Sequence, residues 1–158
     1  MNHADQIDSY LAGPKLLRKA VAGMTREQLV ARPVSGKWST LEVVCHLVDF
    51  EPIYADRMKR VLAEDKPTLL SGDPDKFAAA LCYHDRDLDE ELTILEATRG
   101  QMGTILRKCK PEDFARVGMH TEAGARSLEQ LLASITDHIP HHVPFIEDKR
   151  RALGLPVG

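Results

Sequence analysis

Apolar residues recur at three- and four-residue steps through four long stretches of the chain, the period of an amphipathic helix. The first runs from about Ala4 to Met24, with Ile7, Leu11, Leu17 and Val21 in step and Gly13-Pro14 predicting a kink. Thr25 and Gln28 have capping-box spacing, so a short turn of helix follows. The second long stretch opens at Ser39, an N-cap residue with Glu42 three positions on. It runs to about Ala63 along Val43, Val44, Leu47, Phe50, Tyr54, Met58, Val61 and Leu62. Pro67, Gly72 and Pro74 punctuate a loop, and Asp75 to Cys82 predicts a short helix. Asp87 and Glu90 start the third long helix, whose stripe repeats from Leu88 through Leu92, Leu95, Met102 and Leu106 to Cys109 before Pro111 stops it. Val117 to Gly124 is expected as a loop or short hairpin. Ser127 then caps the fourth helix, marked by Leu128, Leu131, Leu132, Ile135, Ile139, Val143 and Ile146. Four amphipathic helices with almost no strand signal predict an all-α four-helix bundle in up-down-down-up order, one domain over residues 1–158.

The fourth helix carries the most informative polar residues. With His138 at zero on a wheel of about 100° per residue, the apolar arc spans roughly 20° to 140°. His142 falls inside it at about 40°, His138 lies at its edge, and His141 points away near −60°. An i, i+4 pair of imidazoles on one face can reach a single metal ion. A histidine on an apolar face is more often a hydrogen-bonded core residue, so the pair needs a third ligand. Pro140 and Pro144 are expected to bend the helix and to open backbone carbonyls near the pair.

His46 supplies the third candidate, on the border of the second helix's apolar side, with Glu42 at i−4 and Asp49 at i+3. Alone it would be a boundary histidine paired to one of those carboxylates. It lies about two turns into its helix, and His138 and His142 about three to four turns into theirs. The depths match if the two helices run roughly parallel. Trp38 suits either a hydrophobic staple under the helix start or a lid over one end of a pocket.

Composition narrows the classes. The chain has 158 residues, 43% hydrophobic and 28% charged, ordinary for a globular domain. Net charge is −3 with no basic block, which argues against nucleic-acid binding. No apolar run is long enough to span a membrane and the first residues lack a signal-peptide core, so a cytoplasmic protein is expected. Cys45, Cys82 and Cys109 are scattered and form no CxxC. They are expected as small core residues, with Cys45 turned about 100° from His46 and a poor co-ligand.

The run Gly36-Lys37-Trp38-Ser39-Thr40-Leu41-Glu42-Val43-Val44-Cys45-His46-Leu47-Val48-Asp49 resembles the N-terminal signature of the DinB/YfiT-like superfamily. His120-Thr121-Glu122-Ala123-Gly124 and Asp137-His138-Ile139-Pro140-His141-His142 resemble its later blocks, and the likeness extends from Tyr10 to about Arg151. The resemblance implies a four-helix bundle holding one divalent metal ion on three histidines, at His46, His138 and His142. It also implies either a metal-dependent hydrolase or a thiol S-transferase or isomerase.

Three neutral imidazoles leave coordination positions open, as in catalytic rather than structural sites, which favours an enzyme over a non-catalytic metal-binding stress-response module. Zinc and nickel both suit imidazole. Glu42 and Asp49 are the candidate catalytic carboxylates, either receiving the imidazole N–H that faces away from the metal or acting as general base. His120 and Glu122 are weighed as pocket-mouth residues against an ordinary loop, and His3, His84 and His141 as surface residues. The expected partners are a small-molecule substrate, possibly a low-molecular-weight thiol, and a second copy of the chain in a homodimer. With no assured general base, thiol transfer is preferred to hydrolysis, because coordination alone makes a thiolate.

Overall fold

The computed structural model describes residues 2–157. Four long helices form an all-α bundle: α1 (His3–Val21), α3 (Thr40–Ala63), α5 (Leu88–Leu106) and α6 (Leu128–Ala152). Two short helices lie in the connections, α2 (Arg26–Val30) and α4 (Pro74–Ala80). The starts follow local chemistry. Ser39 Oγ accepts from the Glu42 N–H at 3.1 Å while Glu42 Oε2 accepts from the Ser39 N–H at 2.6 Å. Ser127 and Gln130 repeat the arrangement at α6, and Asp87 Oδ1 accepts from two N–H groups at the start of α5. Such caps each contribute on the order of 1 kcal/mol.

Two apolar clusters define the direction of the helices. One joins Ile7 and Tyr10 of α1, Met58 and Val61 of α3, Met102 and Leu106 of α5, and Leu128 and Leu132 of α6. The other joins Leu17 and Val21, Val44 and Leu47, Leu92 and Leu95, and Ile139 and Ile146 of the same helices. The first half of α1 and of α6 therefore shares one end of the bundle with the second half of α3 and of α5, which is up-down-down-up. It follows that α3 and α6 run antiparallel, not parallel as the matched depths implied. His46 meets His138 and His142 because it lies near the start of α3 while they flank the middle of α6.

Between the clusters sits a charged layer. Arg99 of α5, 1% exposed, donates from Nε to Glu51 Oε2 of α3 at 2.9 Å. It also donates to the backbone carbonyls of Tyr10 (2.7 Å) and Ile135 (2.9 Å). Tyr10 Oη donates to Glu51 Oε1 at 2.6 Å. The Gly13-Pro14 pair explains the seat. Pro14 has no N–H, so the Tyr10 carbonyl four residues back has no helical donor. Gly13 leaves the space, since a Cβ there would stand 2.1 Å from Arg99 Nη1. The expected kink site thus receives a guanidinium, and α1 continues through it.

α6 also continues through Pro140 and Pro144 to Ala152. Both prolines are exposed, so the carbonyls they deprive of a donor lie on the outer side of the helix, away from the imidazoles. The stretch expected as a loop or short hairpin is a hairpin, β2 (Val117–His120) antiparallel to β3 (Gly124–Ser127), and the expected loop before it adds β1 (Thr68–Leu69), parallel to β2. Gly118 admits the buried Leu69 side chain, whose Cδ1 would be 2.8 Å from an added Cβ. Cys45 is buried and Cys109 half-buried, but Cys82 is exposed, a correction to its expected core place. Among the described residues no helix is long and apolar enough to cross a membrane.

Candidate metal centre

α3 and α6 bring His46, His138 and His142 together. The three ring centroids lie 4.9 Å apart in every pair, an equilateral triangle with the rings steeply inclined to one another. Their ligand atoms all fall within 4.8 Å of one another. His46 Nε2 and His138 Nε2 face each other at 3.0 Å, a separation at which the two nitrogens must share one proton or one cation. Among the described residues no cysteine or carboxylate joins the cluster. His141 is exposed, as its angle on the wheel predicts.

The electrostatics favour neutral rings. Burial lowers the pKa of His46. Burial, reinforced by the neighbouring imidazoles, pushes His138 down to about 3 and His142 down to about 4. Neutral imidazole is the form that binds a metal. Aromatic rings wall the triangle: Trp38 and Phe50 pack on His46 at 5.3 and 4.8 Å between centroids, and Phe145 packs on His142 at 5.5 Å. Trp38 is therefore at the site itself.

The two carboxylates read beside His46 are engaged elsewhere. Glu42, 4% exposed, closes the α3 capping box, accepts from Arg32 Nε at 3.0 Å and lies 3.1 Å from His84 Nε2. Burial raises its carboxyl, but Arg32, the Ser39 N–H and His84 outweigh that and hold it below the usual range. Asp49 is gripped by Arg86 at 2.8 and 2.9 Å, and Arg86 also binds Glu91 at 2.7 and 2.8 Å. The Nδ1 atoms of His46, His138 and His142 are buried with no hydrogen-bond partner, so neither carboxylate receives an imidazole N–H. Each inward carboxylate of α3 has its own arginine: Arg32 on Glu42, Arg86 on Asp49, Arg99 on Glu51. These arginines lie 10, 37 and 48 positions from their carboxylates, outside any helical period, and the sequence reading missed all three.

His120 and Glu122 serve the hairpin. His120 Nδ1 accepts from the Glu122 and Ala123 N–H groups at 3.2 Å, and Glu122 Oε1 accepts from Ser71 Oγ at 2.9 Å. His84, expected at the surface, is half-buried against Glu42, and His3 stacks on Phe114 at 3.7 Å between centroids. The Cys45 thiol, pushed up to about 12 by burial, is inert.

A cavity of about 370 Å³ opens beside His142, walled by Trp38, Val43 and Phe145. Its size is that of a small-molecule site.

Known proteins share this architecture. A protein of Geobacillus thermodenitrificans bearing the name "Putative metal-dependent hydrolase" is 30% identical over 156 residues, covering 96% of this chain and 88% of that one. An Oceanobacillus iheyensis protein of the same description is 28% identical over 133 residues, 84% of this chain and 77% of its own. The structure of YfiT from Bacillus subtilis, described as a probable metal-dependent hydrolase with an unusual four-helix bundle topology, superposes with a TM-score of 0.90. It is 26% identical, over 98% of this chain and 89% of that one. A mycothiol-dependent maleylpyruvate isomerase shares the fold at a TM-score of 0.71 with 9% identity, over 91% of this chain and 60% of that one. The family model of the DinB superfamily matches residues 10–146, and with the relatives above it establishes that the chain belongs to the DinB superfamily.

Proposed function

We propose that the protein is a metal-dependent enzyme acting on a small molecule, with one divalent cation, zinc or nickel, held by His46, His138 and His142. The observation that carries this is the triangle of three neutral imidazoles with a cavity open on its His142 side. The donor set fits: three imidazoles suit zinc and nickel, and three protein ligands leave positions for substrate. A cation so held supplies a Lewis acid that lowers the pKa of a thiol or of water.

The chain's own residues do the rest. His46, His138 and His142 present neutral nitrogens without first losing protons at neutral pH. Trp38, Phe50 and Phe145 keep water from the ring faces. Glu42 and Asp49, each neutralised by an arginine, act as positioning residues: Glu42 fixes the start of α3, and Asp49 ties α3 through Arg86 to the head of α5. Hydrolysis asks for a free base to move protons. Both candidate carboxylates are bound by guanidinium, which favours transfer from a low-molecular-weight thiol. Hydrolysis stands as the second reading, favoured by the names of the relatives in Geobacillus and Oceanobacillus.

Elemental analysis of tag-free protein tests the site: close to one metal per chain is expected, lost in His142→Ala and kept in His141→Ala. Equal loss in both variants, or a metal-free wild type, overturns the assignment. Parallel assays with a thiol panel and with ester, amide and phosphoester panels then divide the two reactions. Turnover that needs no thiol and vanishes in His46→Ala would select hydrolysis.

A further inference from the structure

Lys149 lies in the last turns of α6 and lines the cavity beside His142, yet it is only 3% exposed. Its ammonium donates to the Phe145 carbonyl at 3.0 Å. A lysine near a helix C-terminus commonly meets a carbonyl in this way, and that accounts for one of three N–H donors. Among the described residues the other two have no partner, and Lys149 is in no ion pair. The carboxylates within electrostatic reach are already taken: Asp148 accepts from Arg151 at 2.7 Å, and Glu42 is bound by Arg32. Lys37, exposed on the cavity rim, is likewise in no ion pair among the described residues, and its charge adds to that of Lys149. Burial lowers the pKa of Lys149 and Lys37 pushes the same way, while Asp148 and Glu42 offset part of that. A buried ammonium without a counter-ion is unfavourable, and an anion entering the cavity relieves it. Val34, Trp38, Val43 and Phe145 give the cavity apolar walls, and the one carboxylate that lines it, Asp148, is the one held by Arg151.

We propose that this cavity takes a small organic carboxylate with an apolar or aromatic body, its carboxylate received by Lys149 with Lys37 at the rim. Lys149 is then the residue that selects the substrate. The orientation of the body toward the imidazoles rests on the metal-enzyme reading above, whereas the anion preference rests on the cavity alone.

Trp38 is the only tryptophan in the chain, so its fluorescence reports the cavity. The probes are 4-phenylbutyrate and its neutral amide, titrated against the protein as purified and after chelator treatment. The acid is expected to quench saturably and to bind at least roughly tenfold more tightly than the amide, as a charged hydrogen bond implies. Lys149→Met should bring acid and amide together with metal content unchanged, Lys149→Arg should keep the preference, and Lys37→Met should weaken it by a smaller factor. Lys37 is exposed, so that variant remains informative if Lys149→Met fails to fold. Equal binding of acid and amide by the wild type overturns the proposal, as does a preference indifferent to both lysines. A preference abolished by chelation but untouched by Lys149→Met places the anion on the metal, which sinks this inference and spares the metal reading. A lysine-dependent preference in a protein without metal does the reverse.

Discussion

Replacing Arg99 with Met removes the centre of the buried charged layer while keeping an unbranched side chain of similar length. Glu51, 1% exposed, would keep only the Tyr10 hydroxyl, and the Tyr10 carbonyl would lose the donor that substitutes for the missing Pro14 N–H. Breaking a buried ion pair from one side costs about 3–5 kcal/mol. For a chain of this size that is a fall in Tm of about 6–20 °C. Removing Glu51 as well, in Arg99→Met/Glu51→Met, takes away the stranded charge and should recover at least half of the loss, since a buried pair replaced by apolar groups is often neutral. Gly13→Ala attacks the same seat from α1, because its Cβ would have to displace the guanidinium.

The pH dependence adds a second check. Burial raises the Glu51 carboxyl, and Arg99 and Tyr10 pull it back. Without Arg99 only the Tyr10 hydroxyl opposes the rise in the folded pKa. Stability should then be fully present below the unfolded value of about 4.3 and fall as pH rises through the folded value. Urea unfolding followed by circular dichroism at acid and neutral pH measures both effects. A loss under about 1 kcal/mol, or a double variant no more stable than Arg99→Met, would refute the claim that Arg99 exists to neutralise Glu51 and the Tyr10 carbonyl.

Two further outcomes follow from local geometry. Glu42 has a carboxyl held below its usual range, so its contribution is present above the unfolded value of about 4.3 and lost as pH falls through the folded value. Glu42→Gln should therefore be less stable than wild type at neutral pH by about 1–2 kcal/mol, with the gap closing on acidification; a gap constant across that range would refute the assignment. Gly118→Ala drives a Cβ into the end of the buried Leu69 side chain, at 2.8 Å from both Cγ and Cδ1, and should cost about 1–3 kcal/mol by denaturant unfolding. A change within about 0.5 kcal/mol would mean that β1 yields without loss.

What was legible in the sequence was periodic. The i, i+4 step that sends His138 and His142 inward and His141 outward is a property of one helix, and so are the Ser39 and Ser127 capping boxes. What was not legible was pairwise and remote. Nothing near Glu42, Asp49 or Glu51 announces that Arg32, Arg86 and Arg99 neutralise them, so Glu42 and Asp49 looked like unpaired carboxylates. Gly13-Pro14 looked like a kink because the guanidinium that fills its gap lies on another helix. β1 is two residues long and pairs with a strand about fifty positions away, below what alternation can signal.

Direction was the subtler failure, and it bears on function. Matching depths from the helix starts places the imidazoles level only for parallel helices. In the bundle, His46 lies six residues after the start of α3 and His142 ten residues before the end of α6, about 9 and 15 Å along their axes. α6 therefore overhangs the start of α3 by roughly a turn. That overhang carries Phe145 and Lys149 past the imidazoles and over the 34–38 loop, where they close the cavity against Trp38. In a parallel arrangement the start of α3 would face the first half of α6, and Lys149 would stand at the far end of the bundle from Trp38. The same antiparallel packing that brings three histidines into a triangle thus also builds the wall that sets a buried ammonium beside them.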